Sequence, residues 1–136
     1  MAREVTVVSG HTYTCLSGCA VALMASGTAT LEVALFKKPM VIAYKVMRAS
    51  WEIMRHMGYQ PWIGLPNILA REFVGPEYLQ HAATPQALAD AIWRQLDGPS
   101  GREQLARRFA EMHHSLLRNS AEASAEAVLR VIGRKK

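Results

Sequence analysis

Residues 19–44 read CAVALMASGTATLEVALFKKPMVIAY, and the order of patterns inside this stretch decides the fold. The first seven residues (19–25) are almost continuously apolar, as expected of a parallel strand covered on both faces. Ser26, Gly27 and Thr28 then form a turn of small residues. From Thr28 to Phe36 the spacing predicts a helix, closed by Lys37 and Lys38, cations at its negative end. Pro39 breaks it, and MVIAY (40–44) reads as another buried strand. Strand, helix and strand in this order are the unit of a parallel α/β sheet.

Working outward, EVTVV (4–8) alternates, is β-branched, and predicts a strand ahead of a short helix or turn at GHTYTCLSG (10–18), with Thr12 available as a cap. Downstream, KVMRASWEIMRHMG (45–58) predicts a helix with Met47, Trp51 and Met54 on one stripe, stopped at Gly58. Its other charges are mostly basic (Lys45, Arg48, Arg55), so it either packs on the sheet or offers lipid a basic, aromatic surface. Residues 59–80 are punctuated by proline and glycine, predicting a brief strand at Trp62–Gly64 and a loop at Leu65-Pro66-Asn67. Thr84 caps a helix that starts at Pro85, runs to Leu96 and closes at Gly98. DGPSG (97–101) reads as a linker. An amphipathic helix follows over 102–118, with Leu105, Phe109, Met112 and Leu116 as its stripe, then a last helix from Ser120 to near Gly133. The expected fold class is α/β: a partial Rossmann-like parallel sheet in residues 1–82, followed by C-terminal helices in 83–136 that pack on it. Three strands, with room for a fourth, fall short of the five or six usual in doubly wound domains, so the chain reads as the back half of one.

At 136 residues, half hydrophobic and a fifth charged, the chain suits one folded domain or a piece of something larger. No apolar run reaches the roughly 18 residues of a membrane span, and the N-terminus lacks a signal-peptide pattern, so the cytoplasm is the expected compartment. The formal charge is 16 − 11 = +5. The excess gathers at 37–38, 107–108 and 134–136, which suits an anionic ligand or an acidic membrane surface. No nucleic-acid-binding module is recognisable. Cys15 and Cys19, with His56, His81, His113 and His114, show no metal-ligand spacing, and two buried thiols are expected.

The turn at 26–28 carries the chemistry. The first turn of a helix has N–H groups without helical partners, and the macrodipole adds positive charge. Gly27 lets the backbone come close to a ligand, while Ser26, Thr28 and Thr30 supply hydroxyl donors. In a parallel sheet this turn falls at the carboxyl ends of the strands, where such sheets bind ligands. Glu32, one helical turn beyond Thr28, would repel a phosphate but can accept hydrogen bonds from a ribose diol. Phosphate first and sugar hydroxyls one turn deeper is a nucleoside diphosphate arrangement. The absence of a G-K-[ST] ending separates it from ATP- and GTP-hydrolysing loops.

LMASGTATLEVALFKKPMVIAYKV (23–46), GLPNILA (64–70) and EYLQHAATPQALADAI (77–92), in order and at consistent spacing, resemble the C-terminal part of lipid-A-disaccharide synthase, a two-domain GT-B glycosyltransferase. The resemblance extends from about Val5 to the final helix. It implies transfer from UDP-2,3-diacylglucosamine to 2,3-diacylglucosamine 1-phosphate, giving the lipid A disaccharide 1-phosphate and UDP. It also implies that Ser26, Gly27, Thr28 and Thr30 hold the diphosphate, that Glu32 holds the ribose, and that Asn67 approaches the donor's phosphate or sugar. A place at the cytoplasmic face of the inner membrane, peripheral to it, follows from the same likeness and favours the lipid-touching reading of helix 45–58.

Transfer of this type needs no metal or other cofactor in principle, and the sequence has no Asp-x-Asp pair. Preorganised N–H and hydroxyl donors can stabilise the charge that grows on leaving UDP. The family's N-terminal, acceptor-binding domain has no counterpart in these 136 residues, and no general base is assigned; His56 and His81 are the histidines nearest to consideration. The chain departs from the family's ILAGRE form in having no glycine before Arg71. An unpaired sheet edge favours homo-oligomer formation. Two alternatives stand beside this reading. One is another UDP-sugar enzyme of the same fold, such as a peptidoglycan N-acetylglucosamine transferase or a UDP-sugar 2-epimerase. The other is a non-catalytic nucleotide-binding or interaction module in which the turn only caps a helix.

Overall fold

The computed structural model of the chain describes residues 5–25, 27–57 and 61–133. A three-stranded parallel sheet, in the order β1-β2-β3, is formed by β1 (Ala22–Ala25), β2 (Met40–Tyr44) and β3 (Glu77–Leu79). Ala22 is in register with Met40, and Ile42 with Glu77. Between β1 and β2 the chain makes α2 (Thr28–Leu35), so the βαβ unit read from residues 19–44 is present.

The sheet is built from partly different strands than expected. Residues 5–8 form no strand, and Val5 and Val7 are 81% and 90% exposed; Glu4 lies outside the described residues. A β-branched alternation favours an extended chain, but a ladder requires a neighbouring strand, and none of the described strands pairs with this one. The third strand is instead Glu77–Leu79, too short to announce itself by periodicity. At Trp62–Gly64, where a strand was expected, there is none, and the supposed loop Leu65-Pro66-Asn67 is the first turn of α4 (Leu65–Ala70).

β2 is the central strand, and Met40, Val41 and Ile42 are all essentially inaccessible. β1 is an edge strand, with Leu23 half exposed, rather than a strand covered on both faces. The main core joins Val33 and Ala34 of α2, Met40 and Ile42 of β2, Leu16 of α1 (Thr12–Gly18) and Phe109 of α6 (Pro99–Leu116). Phe109 is the innermost member of the predicted stripe; Leu105 and Met112 are half-buried, and Leu116 reaches the surface.

The helix ends follow local chemistry. α2 closes as a Schellman motif: Lys38 N donates to Val33 O at 3.2 Å, and Lys37 N to Ala34 O at 2.9 Å. Lys37 adopts φ 55°, and its Nζ donates to Leu35 O at 2.9 Å, so the expected cation does sit at the negative end. α5 (Pro85–Leu96) begins as predicted, with Thr84 Oγ1 accepting from Ala87 N at 3.2 Å. It packs on β2 and buries Ala91. Of the stretch read as a linker, residues 99–101 already belong to α6, which starts at Pro99 with Gly98 as its N-cap, and Asp97 is the C-cap of α5.

Thr12 is the first residue of α1 rather than its cap, the N-cap being His11 without a side-chain bond. α3 (Arg48–Met57) starts three residues later than expected, leaving Met47 outside it and 77% exposed. Trp51 is half-buried, Gly58 lies outside the described residues, and the Met54 and Arg55 side chains lie outside the description too. α7 (Ser120–Gly133) has no buried residue. The thiols are not buried as expected: Cys15 is exposed and Cys19 half-buried, because α1 lies at the rim and buries only Leu16.

Candidate functional site

The carboxyl end of β1 leads through Gly27 into α2. Gly27 has φ 127° and ψ −164°, a region open to glycine and strained for other residues. A Cβ added here would meet nothing within 4 Å, so the backbone faces open space. Gly27 is the N-cap of α2, yet no side chain caps the helix and no acidic residue occupies its first turn. The N–H groups of Thr28 and Ala29 therefore have neither a capping side chain nor a first-turn carboxylate to neutralise them.

The expected phosphate contacts divide. Ser26 lies outside the described residues. Gly27 and Thr28 are exposed at the mouth of the turn. Thr30 is fully buried, and its Oγ1 donates to Gly27 O at 2.7 Å while its backbone N donates to the same oxygen at 3.1 Å. Its hydroxyl thus fastens the turn from inside and is not presented to a ligand. Two positions along a helix are 200° apart, which is why Thr28 faces out when Thr30 faces in.

Glu32 is half-buried and lines a cleft of about 390 Å³, whose other wall is Gly10, His11, Thr12, Tyr13 and Thr14 at the start of α1. Thr28 and Glu32, at i and i+4, lie on one face of α2. The turn and the carboxylate are therefore arranged as the sequence spacing suggested. The facing wall from α1 is new, and only the tertiary structure supplies it.

Asn67 has a different setting from the one expected. It is fully buried, at the third position of α4. Nδ2 donates to Gly75 O and to Glu77 Oε1, both at 2.7 Å, and Oδ1 accepts from Val74 N at 2.8 Å and Gly75 N at 2.9 Å. A carboxamide offers two donors and two acceptor positions, so its capacity is filled from within the chain. The Glu77 carboxylate also accepts from Ile63 N at 2.9 Å and Gly64 N at 2.8 Å, and so serves the amino end of α4. Sequence reading overlooked Glu77, because a cap supplied from thirteen residues downstream leaves no local signature.

No group of three or more His, Cys, Asp or Glu able to hold a metal occurs among the described residues. His56 and His81 are both exposed; His56 Nδ1 pairs with Glu52 O at 2.7 Å on α3, and His81 follows β3 in a 3-10 turn at Gln80–Ala82. No helix among the described residues is long and apolar enough to cross a membrane.

The profile of the family described as Lipid-A-disaccharide synthetase matches residues 2–131. Among curated relatives, a lipid-A-disaccharide synthase of Verminephrobacter eiseniae is 50% identical over 136 residues, covering 97% of this chain and 35% of that relative. The synthase of Burkholderia vietnamiensis is 51% identical over 131 residues, covering 96% of this chain and 34% of its own. That of Albidiferax ferrireducens is 47% identical over 136 residues, with 97% and 35% covered. The chain thus spans about a third of the length of these relatives. With a family profile that runs through the turn, α4 and the C-terminal helices, this chain belongs to the Lipid-A-disaccharide synthetase family.

Proposed function

We propose that this chain is the donor-binding portion of a lipid-A-disaccharide synthase and holds the UDP of UDP-2,3-diacylglucosamine at the β1–α2 turn. In the complete enzyme the acceptor would be 2,3-diacylglucosamine 1-phosphate and the product the β-1,6-linked disaccharide 1-phosphate. The observation that carries this reading is the pairing of an uncapped helix start at Gly27 with Glu32 one turn along, where Glu32 lines a cleft with Gly10–Thr14.

The chemistry runs from charge. As the bond from sugar to diphosphate breaks, negative charge grows on the departing UDP while the sugar becomes cation-like. The N–H groups at the start of α2 and the Thr28 hydroxyl are the donors placed to stabilise that charge, held by the fold at no cost of reorganisation. Glu32 accepts from the ribose diol and sets the register of the nucleotide. Thr30 and Asn67 act indirectly: Thr30 fixes Gly27, and Asn67 holds α4 to the loop before β3. On this reading these residues bind the donor, and the acceptor is held by the part of the relatives that the chain does not span.

A place at the inner-membrane surface is part of the same proposal. Its support is the Lys45–Ile53 segment, where Met47 and Ile53 are 77% and 61% exposed beside Lys45 and Arg48. Titration of the chain with UDP by calorimetry tests the nucleotide reading. Saturable binding that weakens in Glu32→Ala is expected, and no heat of binding with UDP or UDP-N-acetylglucosamine would leave the turn as a helix cap only. Comparing diacylated with unacylated UDP-sugars on the full-length protein separates this enzyme from other UDP-sugar transferases.

A further inference from the structure

The cleft that Glu32 lines has an aromatic ring in its wall. Tyr13 of α1 borders the cleft, and its ring stacks on that of Phe36, with centroids 5.7 Å apart and planes 27° to each other. Phe36 is the C-cap of α2 and is half-buried against the main core. Leu16, one turn beyond Tyr13 on the same side of α1, is buried in that core with Val33 of α2. The two helices are thereby fixed to each other. Tyr13 itself remains 65% exposed, so Phe36 covers one side of the ring and the other side is open.

The side chains along α2 follow an order. Thr28, Glu32 and Phe36 stand at i, i+4 and i+8, successive turns of one side of the helix. From Thr28 to Phe36 the helix rises about 12 Å, which is comparable to the length of an extended nucleoside diphosphate. With the diphosphate at Gly27 and Thr28 and the ribose at Glu32, the next turn of α2 is left for the nucleobase. The ring that stands there and borders the cleft is Tyr13, backed by Phe36. On either side of it in the sequence, Thr12 and Thr14 also line the cleft, with hydroxyls that can donate or accept.

We propose that Tyr13 is the residue on which the nucleobase stacks, so that it makes the cleft select a nucleoside diphosphate over a diphosphate without a base; this rests on the nucleotide reading of the β1–α2 turn. A planar heterocycle stacks on an aromatic face whichever groups its edge carries. Phe36 acts through Tyr13: it holds the ring in place before the ligand arrives, so that little ordering is left to the binding step. Thr12 and Thr14 are the neighbours suited to the edge of the base, where uracil alternates carbonyl oxygens with an N–H.

The test uses the 136-residue chain and two ligands, UDP and its 5,6-dihydro form, whose base keeps the same edge groups on a puckered, non-aromatic ring. Calorimetry should show UDP bound about tenfold more tightly than the dihydro form, the scale expected for stacking one base. Tyr13→Ala should lower the affinity for UDP by about the same factor and bring the two ligands level, whereas Tyr13→Phe should keep the preference. In the wild-type complex the uracil ring protons should show Overhauser contacts with the Tyr13 ring. Tyr13 is mostly exposed, so its truncation spares the core, and these contacts decide the question even if the alanine variant unfolds. UDP bound equally by wild type and Tyr13→Ala, no preference over the dihydro form, or no contact with the Tyr13 ring would overturn the stacking role and leave the nucleotide reading standing. Failure of the wild type to bind UDP would overturn both.

Discussion

Asn67 donates to Glu77 across 2.7 Å in the interior of the protein, one residue on a short helix and the other on the third strand. This contact joins two segments that neither periodicity nor propensity relates. Through the remaining bonds of both side chains it also fixes the start of α4 and the turn at Val74 and Gly75.

Asn67→Asp should therefore be severely destabilising although nearly isosteric. The oxygen replacing Nδ2 would confront Gly75 O and Glu77 Oε1, leaving itself and Gly75 O without the donor and setting two carboxylates against each other, although Glu77 keeps the Ile63 and Gly64 N–H groups. Unsatisfied buried groups of this kind cost about 1–3 kcal/mol each, so a loss of roughly 3 kcal/mol or more is expected in urea unfolding. A change below about 1 kcal/mol would show that the network contributes little.

Gly64→Ala tests close packing beside the same network. A Cβ at Gly64 would stand 2.4 Å from Ile42 Cδ1 and 3.2 Å from Glu77 Oε1. Ile42 is fully buried on the central strand and has little room to retreat. Overpacking of this kind costs about 1–3 kcal/mol, readable as a lowered melting temperature. An unchanged melting temperature would mean that Ile42 repacks freely.

Gly27→Ala separates backbone strain from steric conflict. Open space surrounds Gly27, so the new methyl group meets nothing, but the backbone conformation at φ 127° resists any Cβ. The expected cost is about 1–3 kcal/mol of stability, with loss of UDP binding in the residual folded protein because the turn must relax. Wild-type stability together with wild-type UDP affinity would show that the turn adapts.

Thr30→Val and Glu32→Ala should part company. The valine removes the hydroxyl bonded to Gly27 O and should lower stability by about 0.5–1.5 kcal/mol. Glu32→Ala removes a half-buried carboxylate at a cleft wall, and should weaken UDP binding about tenfold while leaving unfolding nearly unchanged. Calorimetry and thermal unfolding on both variants provide the comparison; equal effects of the two on affinity would contradict the division between inner and outer faces of α2.

Self-association of the isolated chain is expected at micromolar concentration. Among the described residues β1 pairs on one side only, and Leu23 along it is half exposed. Val128, Leu129, Val131 and Ile132 on α7 are each at least 57% exposed. Edge strands and apolar helix faces of this kind seek partners. Sedimentation velocity that shows one monomeric species over a hundredfold range of concentration would be the contrary result.

Local chemistry in the sequence determined a good deal by itself. The β2 strand is legible because Met40–Tyr44 is an unbroken apolar run after a proline, and α5 because Thr84 and Pro85 mark its start. The position of α2 and the one-turn offset of Glu32 from Thr28 follow from helical spacing alone. Tertiary structure decided the rest, because it depends on which segments become neighbours. A strand requires a ladder partner, so the alternating residues 5–8 stay outside the sheet while three unremarkable residues, Glu77–Leu79, complete it beside β2. Hydroxyls and amides are equally polar on paper, yet burial commits Thr30 and Asn67 to the interior and leaves Thr28 outside. The wall facing Glu32 and the stacking of Tyr13 on Phe36 join separate segments of the chain, which only the packing of helices on the sheet brings together.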